Sequence, residues 1–435
     1  MTGSNILTAD ELASVRREYR AATLLPKRTY HEPAVFDWER REILRRDWVL
    51  VAREEDAPDP GNYLLVQVDG EDLVIVRDRE GRLHGFHNVC RHRGTAVVEE
   101  ACGKIVRFQC PYHAWIYDLE GKLIRAKHTE DLDGFSFETY SLAMVRLETW
   151  QGFVFVNLSP DGPSLRDQLG DLVEHLDRFA FDRLRSAKRT EYDVAANWKF
   201  IAENYSECYH CPGIHPQLNR LTPYDLGGDY EPHGAWQGGW MELVGEAETM
   251  ALDGGHGSRA GRPPMPGITP VDERRIFYYV LWPMTFISIH PDYVLLHRLI
   301  PEGPDRTRVV CDWLFDVDTI AMPGFDPSDA VAFWDLTNRQ DWHVCELQQR
   351  GTASSSFVAG RYSNQEASVH AFDRMVADRY AGDPISAART VRERYDVPPP
   401  KPGVAGPHAM DGESNGANAK AAARAAARAR ATARG

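Results

Sequence analysis

The sequence predicts an α+β fold with a strand-rich first half and a second half that combines helices with one antiparallel sheet. In the first half, runs of alternating apolar and polar residues at 63–68 and 72–76 are separated by Gly and Asp turns, which is typical of half-buried strands. In the second half, the strands predicted within 275–317 are joined by tight turns containing Pro, Gly and Asp, so neighbouring strands should be antiparallel. Helical patterns at about 327–350 and 363–380 follow them, and the Gly- and Pro-containing stretch 216–270 that precedes the strands is expected to be irregular.

The chain divides into four predicted segments. Residues 1–45 form helical pieces expected to pack on the second domain, residues 46–157 form the strand-rich domain, and residues 158–395 form the larger mixed domain. Residues 396–435 are rich in Pro, Ala and Arg, and this low complexity predicts a disordered tail.

Composition excludes several functional classes. The formal charge of −14 disfavours binding to nucleic acid. No apolar run approaches the roughly eighteen residues that a membrane span needs, and the polar N-terminus lacks the apolar core of a signal peptide. The seven cysteines are too few and too scattered for a disulfide scaffold. We therefore expect a cytoplasmic protein with no nucleic-acid partner and no membrane association.

Two mixed Cys/His runs are the most informative feature of the first domain. Cys90 and His92 are followed, after seventeen intervening residues, by Cys110 and His113. Each run offers one thiolate and one imidazole on a predicted turn, and together they supply the two sulfur and two nitrogen ligands of a Rieske [2Fe–2S] cluster. A structural zinc ion accepts the same four ligands, but zinc motifs usually pair Cys with Cys and His with His. The mixed pairing therefore favours the iron–sulfur cluster.

A second metal site is predicted at the end of a helix that begins at Asn197. The helix is predicted to run through His210, which places Glu203, Glu207 and His210 on one face, and the Pro-Gly break that follows returns His215 beside His210. Two imidazoles and a carboxylate form the site of a non-haem iron(II) oxygenase, with open positions for dioxygen and substrate. The alternative is that both histidines are structural, but a cluster in the same chain needs an electron acceptor.

The third iron ligand must come from a distant part of the chain. Asp335, Asp341 and Glu346 all lie on the helix predicted at about 327–350, and spacing alone does not choose among them.

Other residues with chemical potential have plainer interpretations. Cys102 lacks a histidine at the matching offset and is expected to be a small buried residue, and the C-x-x-C of Cys208 and Cys211 is expected to do no dithiol chemistry inside a helix. Five aromatic residues of the second domain are interpreted either as core or as a cage that attracts a quaternary ammonium by cation–π contact: Trp236, Trp240, Tyr278, Trp282 and Phe286.

Over roughly residues 35–380 the chain resembles the catalytic α subunit of Rieske-type non-haem iron oxygenases. The matching motifs are Cys90-x-His92, Cys110-x2-His113, Asn197-Trp198-Lys199, Glu203-Asn204-Tyr205-x2-Cys208-Tyr209-His210-x4-His215 and Gln340-Asp341-x3-Cys345-Glu346. The resemblance implies an N-terminal Rieske β-sandwich domain and a helix-grip catalytic domain with a central antiparallel sheet. It also implies that Asp341 is the carboxylate ligand and that Glu207 and Asn204 are catalytic residues.

One position departs from the commonest family pattern. The residue three before the first iron histidine is usually an aspartate that links the cluster of one subunit to the iron of the next, and here it is Glu207. The implied role is to accept hydrogen bonds from His210 and from the partner's His113. A glutamate at this position resembles the branch that oxidises quaternary amines such as carnitine, betaine and stachydrine.

The resemblance thus implies a terminal oxygenase with one Rieske [2Fe–2S] cluster and one mononuclear Fe(II), most simply a homotrimer. Its small-molecule substrate is expected to be a quaternary ammonium compound that undergoes oxidative N-demethylation or cleavage with O2. The sequence has neither a ferredoxin nor a nicotinamide-binding motif, so a separate flavin/ferredoxin-type reductase must supply electrons. The alternatives are an aromatic-ring hydroxylating (di)oxygenase α subunit and, more distantly, a non-catalytic Rieske electron carrier.

Overall fold

Three antiparallel sheets organise the part of the chain that the computed structural model describes, residues 6–252 and 261–385. These residues all belong to one compact unit, Met1–Val391, and the predicted tail lies outside the described residues. Among the described residues, the helices are too short or too polar to cross a bilayer.

The chain begins with three short helices that lie against the second domain. They are α1 (Ala9–Val15), α2 (Arg28–His31) and α3 (Pro33–Glu39). Thr8 begins α1 because its hydroxyl accepts from the Glu11 N–H while the Glu11 carboxylate accepts from the Thr8 N–H. Tyr30, in α2, stacks on Phe200 of the second domain at a centroid distance of 4.0 Å.

The strand-rich domain contains ten strands in two sheets. Seven form a sheet of order β1-β10-β9-β4-β3-β2-β5, and three form the small sheet β6-β7-β8. Their bounds are β1 Val49–Arg53, β2 Asn62–Val68, β3 Glu71–Arg77, β4 Leu83–His87, β5 Cys102–Lys104, β6 Phe108–Gln109, β7 Ile116–Tyr117, β8 Leu123–Arg125, β9 Met144–Trp150 and β10 Phe153–Asn157. The first Cys/His run lies between β4 and β5, and the second lies between β6 and β7.

The second domain is built on a sheet of order β11-β17-β16-β15-β14-β13-β12. The elements are α4 Leu165–Leu169, α5 Leu172–Leu176, β11 Leu184–Val194, α6 Trp198–Tyr205, α7 Cys211–Ile214, α8 Pro216–Leu221, β12 Gly227–Asp229, β13 Trp236–Glu242, β14 Arg275–Leu281, β15 Thr285–Ile289, β16 Val294–Gly303, β17 Arg306–Asp316, α9 Val317–Ile320, α10 Ser328–Thr352 and α11 Ala367–Ala381. Because side chains alternate along each strand, the sheet has two apolar faces. One is covered by α4 and α5, and the other by α6, α10 and α11.

The predicted α+β class and central antiparallel sheet are confirmed, and two predictions about local structure are wrong. The helix that begins after Asn197 ends at Tyr205, so it does not reach His210. The stretch 216–270 was expected to be irregular, yet it contains β13, which pairs with β14 along its whole length. This strand was not predicted because Gly238 and Gly239 make its sequence resemble a loop. A Cβ at Gly238 would lie 2.5 Å from the Tyr278 carbonyl oxygen, so glycine is required there by close packing.

Candidate active site

The two Cys/His runs form loops with the same backbone hydrogen bonds. The N–H of Cys90 and that of Cys110 each donate to the carbonyl five residues later, at 2.8 and 2.9 Å. The N–H groups of Gly94 and Ala114 donate back to these cysteine carbonyls at 3.0 and 3.1 Å. Gly94 and Ala114 both adopt positive φ, +79° and +54°, which closes each turn. Both loops are therefore closed by the same backbone pattern, with the cysteine at the start and the histidine within the turn, two residues later in the first loop and three in the second.

The thiols of these loops are buried and the imidazoles are exposed. Cys90 and Cys110 are 1% and 2% exposed, whereas His92 and His113 lie at the surface with ring centroids 4.6 Å apart. The Tyr117 hydroxyl lies 3.2 Å from the Cys90 sulfur. Burial raises the pKa of the Cys90 thiol, so the thiolate form needs a bound metal to stabilise it. Two buried sulfurs and two outward imidazoles fit the ligand set of a Rieske cluster.

The second site forms where α7 meets α10. His210 precedes α7, His215 follows it, and their ring centroids are 5.1 Å apart. Asp341 of α10 places its Oδ1 2.7 Å from His215 Nε2 and 3.3 Å from His210 Nε2. The three ligand atoms all lie within 4.8 Å of one another, which fits one metal ion bound by two imidazoles and a carboxylate.

The other ring nitrogens of both histidines have fixed acceptors. His210 Nδ1 lies 2.5 Å from Glu207 Oε1, and His215 Nδ1 lies 2.8 Å from Gln340 Oε1. Gln217 Nε2 also donates to Gln340 Oε1 at 2.8 Å. Because each Nδ1 has an acceptor, each ring can keep its proton there and leave the Nε2 lone pair for a metal ion; without a metal, Nε2 can carry a proton and donate to Asp341. Sequence reasoning missed the role of Gln340, although its position next to Asp341 was a signal.

The electrostatics of this site favour a cation. Burial alone would lower the pKa of His210, but hydrogen bonds and charge from Asp341 and Glu207 raise it to about 10. Burial would raise the pKa of Asp341, but hydrogen bonds from His210 and His215 hold it at about 2. Two carboxylates thus stabilise positive charge at this buried position. A bound divalent cation would provide that charge.

The remaining predicted residues of this region lie elsewhere. Asp335 accepts from Tyr192 at 2.8 Å and from Arg339 at 2.9 Å, and Glu346 accepts from the Ala195 N–H at 3.3 Å. These two carboxylates are therefore committed to other partners, away from the three ligand atoms.

The prediction that Glu203 shares a helix face with Glu207 and His210 is wrong, because α6 ends first. Glu203 is buried and accepts from the Tyr30 hydroxyl at 2.7 Å, on the side of the N-terminal helices. Asn204 lies in the last turn of α6, partly buried, and its side chain makes no hydrogen bond within the described residues.

Two expectations about cysteines also differ from the structure. Cys208, in the turn after α6, and Cys211, the first residue of α7, are joined as a disulfide that brackets His210, with Cα atoms 5.0 Å apart, because the predicted helix is interrupted between them. Cys102 is exposed instead of buried, because it lies on the short edge strand β5.

The five aromatic residues proposed as a cage do not share one space. Trp236 and Trp240 pack on the α4 and α5 side of the sheet, and Trp282 is a buried core residue whose indole N–H donates to Asp47. Tyr278 and Phe286 lie on the side of α6 and α10.

Comparison with known proteins agrees with both sites. The Rieske [2Fe-2S] domain model matches residues 47–140, and the model for the ring hydroxylating alpha subunit (catalytic domain) matches residues 181–382. The glycine betaine monooxygenase oxygenase subunit of Chromohalobacter salexigens is 32% identical over 81% of this chain and 85% of its own. The carnitine monooxygenase oxygenase subunit of Escherichia coli K12 is 35% identical over 77% of this chain and 86% of its own.

A solved structure shows the same fold. The quaternary ammonium Rieske monooxygenase CntA in complex with L-carnitine aligns with a TM-score of 0.70 and 25% identity, covering 86% of this chain and 99% of its own. This chain thus contains a Rieske [2Fe–2S] domain and the catalytic domain that carries a mononuclear iron. It belongs to the Rieske-type ring-hydroxylating oxygenase family, as an oxygenase α subunit and an oxidoreductase.

Proposed function

We propose that this chain is the oxygenase component of a monooxygenase that removes a methyl group from a quaternary ammonium compound, or cleaves it, with dioxygen. The observation that carries the proposal is the convergence of His210, His215 and Asp341 on one point in a chain that also has the cluster loops. The names of the relatives support the substrate class, since they include glycine betaine and carnitine monooxygenase oxygenase subunits.

In this proposal nine residues carry the chemistry. The cluster ligands are Cys90, His92, Cys110 and His113, the iron ligands are His210, His215 and Asp341, and the catalytic residues are Glu207 and Asn204. When bound, the cluster supplies single electrons and the ferrous iron binds and activates dioxygen.

The residues around the iron ligands hold protons and orient rings. Glu207 and Gln340 each accept an Nδ1 proton, so the imidazoles of His210 and His215 keep one tautomer and one orientation through turnover. Asn204, with a side chain free of internal hydrogen bonds among the described residues, is proposed to hydrogen-bond the ligands that enter the iron pocket.

The overall reaction balances with one substrate, one dioxygen, two electrons and two protons. One oxygen atom enters a methyl C–H bond to give a carbinolamine, and the other leaves as water. The carbinolamine loses its hydroxyl proton, its C–N bond breaks, and formaldehyde and the demethylated amine are released. A flavin/ferredoxin-type reductase that draws on nicotinamide is proposed as the electron source, in the cytoplasm.

Exposed apolar groups beside both metal sites support an assembly in which different subunits meet. Tyr112, next to His113, is 56% exposed, and Tyr209, next to His210, is 55% exposed. Among the described residues, no hydrogen bond or ion pair joins the cluster loops to the iron ligands. We propose a homotrimer in which the His113 edge of one subunit meets Glu207 of the next.

Oxygen uptake and formaldehyde release test the proposed function. The purified oxygenase, supplied with a surrogate reductase and NADH, should consume oxygen with a quaternary ammonium compound and release formaldehyde. A panel of betaines and aromatic acids distinguishes the alternatives. Uptake stimulated by aromatic acids alone would replace the proposal with aromatic-ring hydroxylation.

A further inference from the structure

An indole ring lies flat against one of the two proposed cluster imidazoles. The ring of Trp115 stacks on that of His92 at a centroid distance of 4.8 Å, with 9° between the ring planes. Trp115 is 4% exposed, whereas His92 lies at the surface. One face of the His92 ring is therefore covered by a buried aromatic side chain, which limits how the imidazole can rotate.

The indole is itself fixed by packing. The rings of Phe135 and Tyr140, between β8 and β9, meet Trp115 nearly edge-on at 5.8 and 6.0 Å, and they stack on each other at 4.7 Å. The Trp115 carbonyl accepts from the Cys110 N–H at 2.9 Å, which is one of the bonds that close the second cluster loop. Both the backbone and the ring of Trp115 thus contact the proposed cluster ligands.

The second imidazole has a different environment. The ring of Tyr112 lies 3.8 Å from that of His113 between centroids, with 33° between the planes, but Tyr112 is 56% exposed. Its hydroxyl accepts from the exposed Arg93 guanidinium at 3.2 Å. An exposed tyrosine leaves His113 open to water or to a neighbouring subunit. The two imidazoles therefore differ, because only His92 is covered by a buried ring.

This cover affects how readily the cluster accepts an electron. Reduction adds one negative charge to the ligated cluster. The face of an aromatic ring carries negative electrostatic potential, so an indole stacked on His92 disfavours the added charge. The indole also excludes water that would solvate this charge, and solvent access is one of the factors that set the potential of an iron–sulfur cluster. Both effects lower the reduction potential and make the reduced cluster a stronger electron donor.

We propose that Trp115 is a positioning residue for electron transfer, which fixes the orientation of His92 and lowers the reduction potential of the cluster. Trp115 acts through His92 and belongs to neither proposed set of metal ligands. The inference rests on the proposed function only through the cluster ligands, and it does not depend on the substrate.

Reduction potentials of single variants test this role. The face of an aromatic ring contributes about as much as a weak cation–π contact, so Trp115→Leu should shift the reduction equilibrium about two- to fivefold towards the reduced cluster. For a one-electron couple this is a rise of about 20–40 mV. Trp115→Phe keeps an aromatic face and should raise the potential by less than half as much. Redox titration of the full-length, cluster-loaded protein, followed by visible circular dichroism, measures these potentials without turnover.

Phe86→Leu is the matched control for loosening of the domain core. Phe86, on β4, is fully buried in the same apolar cluster as Trp115. Among the described residues, its ring contacts those of His84 and Phe108 and neither proposed histidine ligand. This variant should lose stability because it leaves a cavity, yet it should keep the reduction potential of the unsubstituted protein.

A fluorinated tryptophan at position 115 separates electrostatics from packing. Fluorine withdraws electron density from the ring face with little change of shape, so the potential should rise while the packing is kept. This protein also decides the question if Trp115→Leu fails to assemble a cluster.

Pulsed EPR of the reduced protein measures the orientation of the imidazoles, because it resolves the couplings of the two coordinated nitrogens. One of the two couplings should broaden in Trp115→Leu, where His92 loses its cover. Both couplings should be unchanged in Phe86→Leu.

The outcomes separate this inference from the proposed function. An unchanged potential in both Trp115→Leu and the fluorinated protein, or an equal shift in Phe86→Leu, overturns the inference alone. Unchanged nitrogen couplings in Trp115→Leu overturn the positioning role. An unsubstituted protein without a rhombic Rieske signal after reduction overturns the proposed cluster ligands, and the inference with them.

Discussion

The two metal sites of this chain are assembled in opposite ways. Each cluster loop is closed by its own backbone hydrogen bonds, and all four proposed cluster ligands lie between Cys90 and His113. The proposed iron site joins two histidines of one turn to a carboxylate that follows His215 by 126 residues. A site closed within loops depends on local sequence, whereas a site between α7 and α10 depends on how the whole domain packs. The two sites should therefore fail independently.

The largest expected effect that separates the two sites comes from Asp341→Ala. Removing this ligand should abolish mononuclear iron binding and lower turnover by more than about 100-fold, beyond the loss typical of outer-sphere changes. The visible absorption of the cluster should persist, because its ligands lie in other loops. Asp335→Ala, on the same helix, should keep its iron, since Asp335 is hydrogen-bonded to Tyr192 and Arg339. Iron content that survives Asp341→Ala would contradict the ligand assignment.

Glu207→Gln probes the connection between the sites. The amide oxygen still accepts the His210 Nδ1 proton, so both metals should remain bound, but the negative charge is lost. Single-turnover rates of the pre-reduced protein should fall about 10–100-fold. Rates equal to those of the unsubstituted protein would show that the charge of Glu207 does not link the cluster to the iron.

Gln340→Leu tests whether Gln340 orients the proposed iron ligand His215, because the substitution leaves the formal charge of the site unchanged. His215 would lose its Nδ1 acceptor, so iron affinity should fall by roughly 10-fold, the lower end for outer-sphere partners. Competition with a chelator measures this affinity. Cluster content serves as the internal control, and an unaltered iron affinity would show that packing alone orients His215.

A smaller effect should appear at the buried carboxyl pair of Asp373 and Glu203, between α11 and α6. Burial raises the pKa of Asp373, on α11, from 3.8 to about 7. Between these values the unfolded chain has released a proton that the folded chain keeps, so stability falls as pH rises from about 4 to about 7 and then levels off. Asp373→Asn should remove this fall in stability with rising pH, because the amide side chain does not titrate. Between pH 5 and pH 8, the unsubstituted protein should lose about 2–3 kcal/mol more unfolding free energy than the variant. Parallel stability curves for the two proteins would show that Asp373 is ionised throughout.

The same contrast explains what sequence could predict. Cys90, His92, Cys110 and His113 were identified with their turns because spacing alone defines these loops. The strands within 275–317 were identified because alternation and turn residues are local signals. Asp341 was not distinguishable from Asp335 and Glu346 by spacing, and the resemblance to the oxygenase family was needed to select it.

The errors arose where tertiary packing overrides local pattern. The sequence pattern predicts that α6 continues through His210, but the chain turns after Tyr205 so that His210 and His215 both reach Asp341. β13 was missed because Gly238 and Gly239, needed for close packing on β14, resemble a loop. The segment boundaries at 45, 157 and 395 stay predictions, and the roles of the individual site residues stay proposals.

Metal analysis of the purified oxygenase, combined with EPR, tests most directly whether this chain holds two separate iron centres. The account predicts about three irons per chain with little zinc, a coloured protein, and a rhombic Rieske signal after reduction with dithionite. A colourless protein with zinc at the Cys/His loops, or two irons per chain with His210→Ala changing nothing, would contradict it.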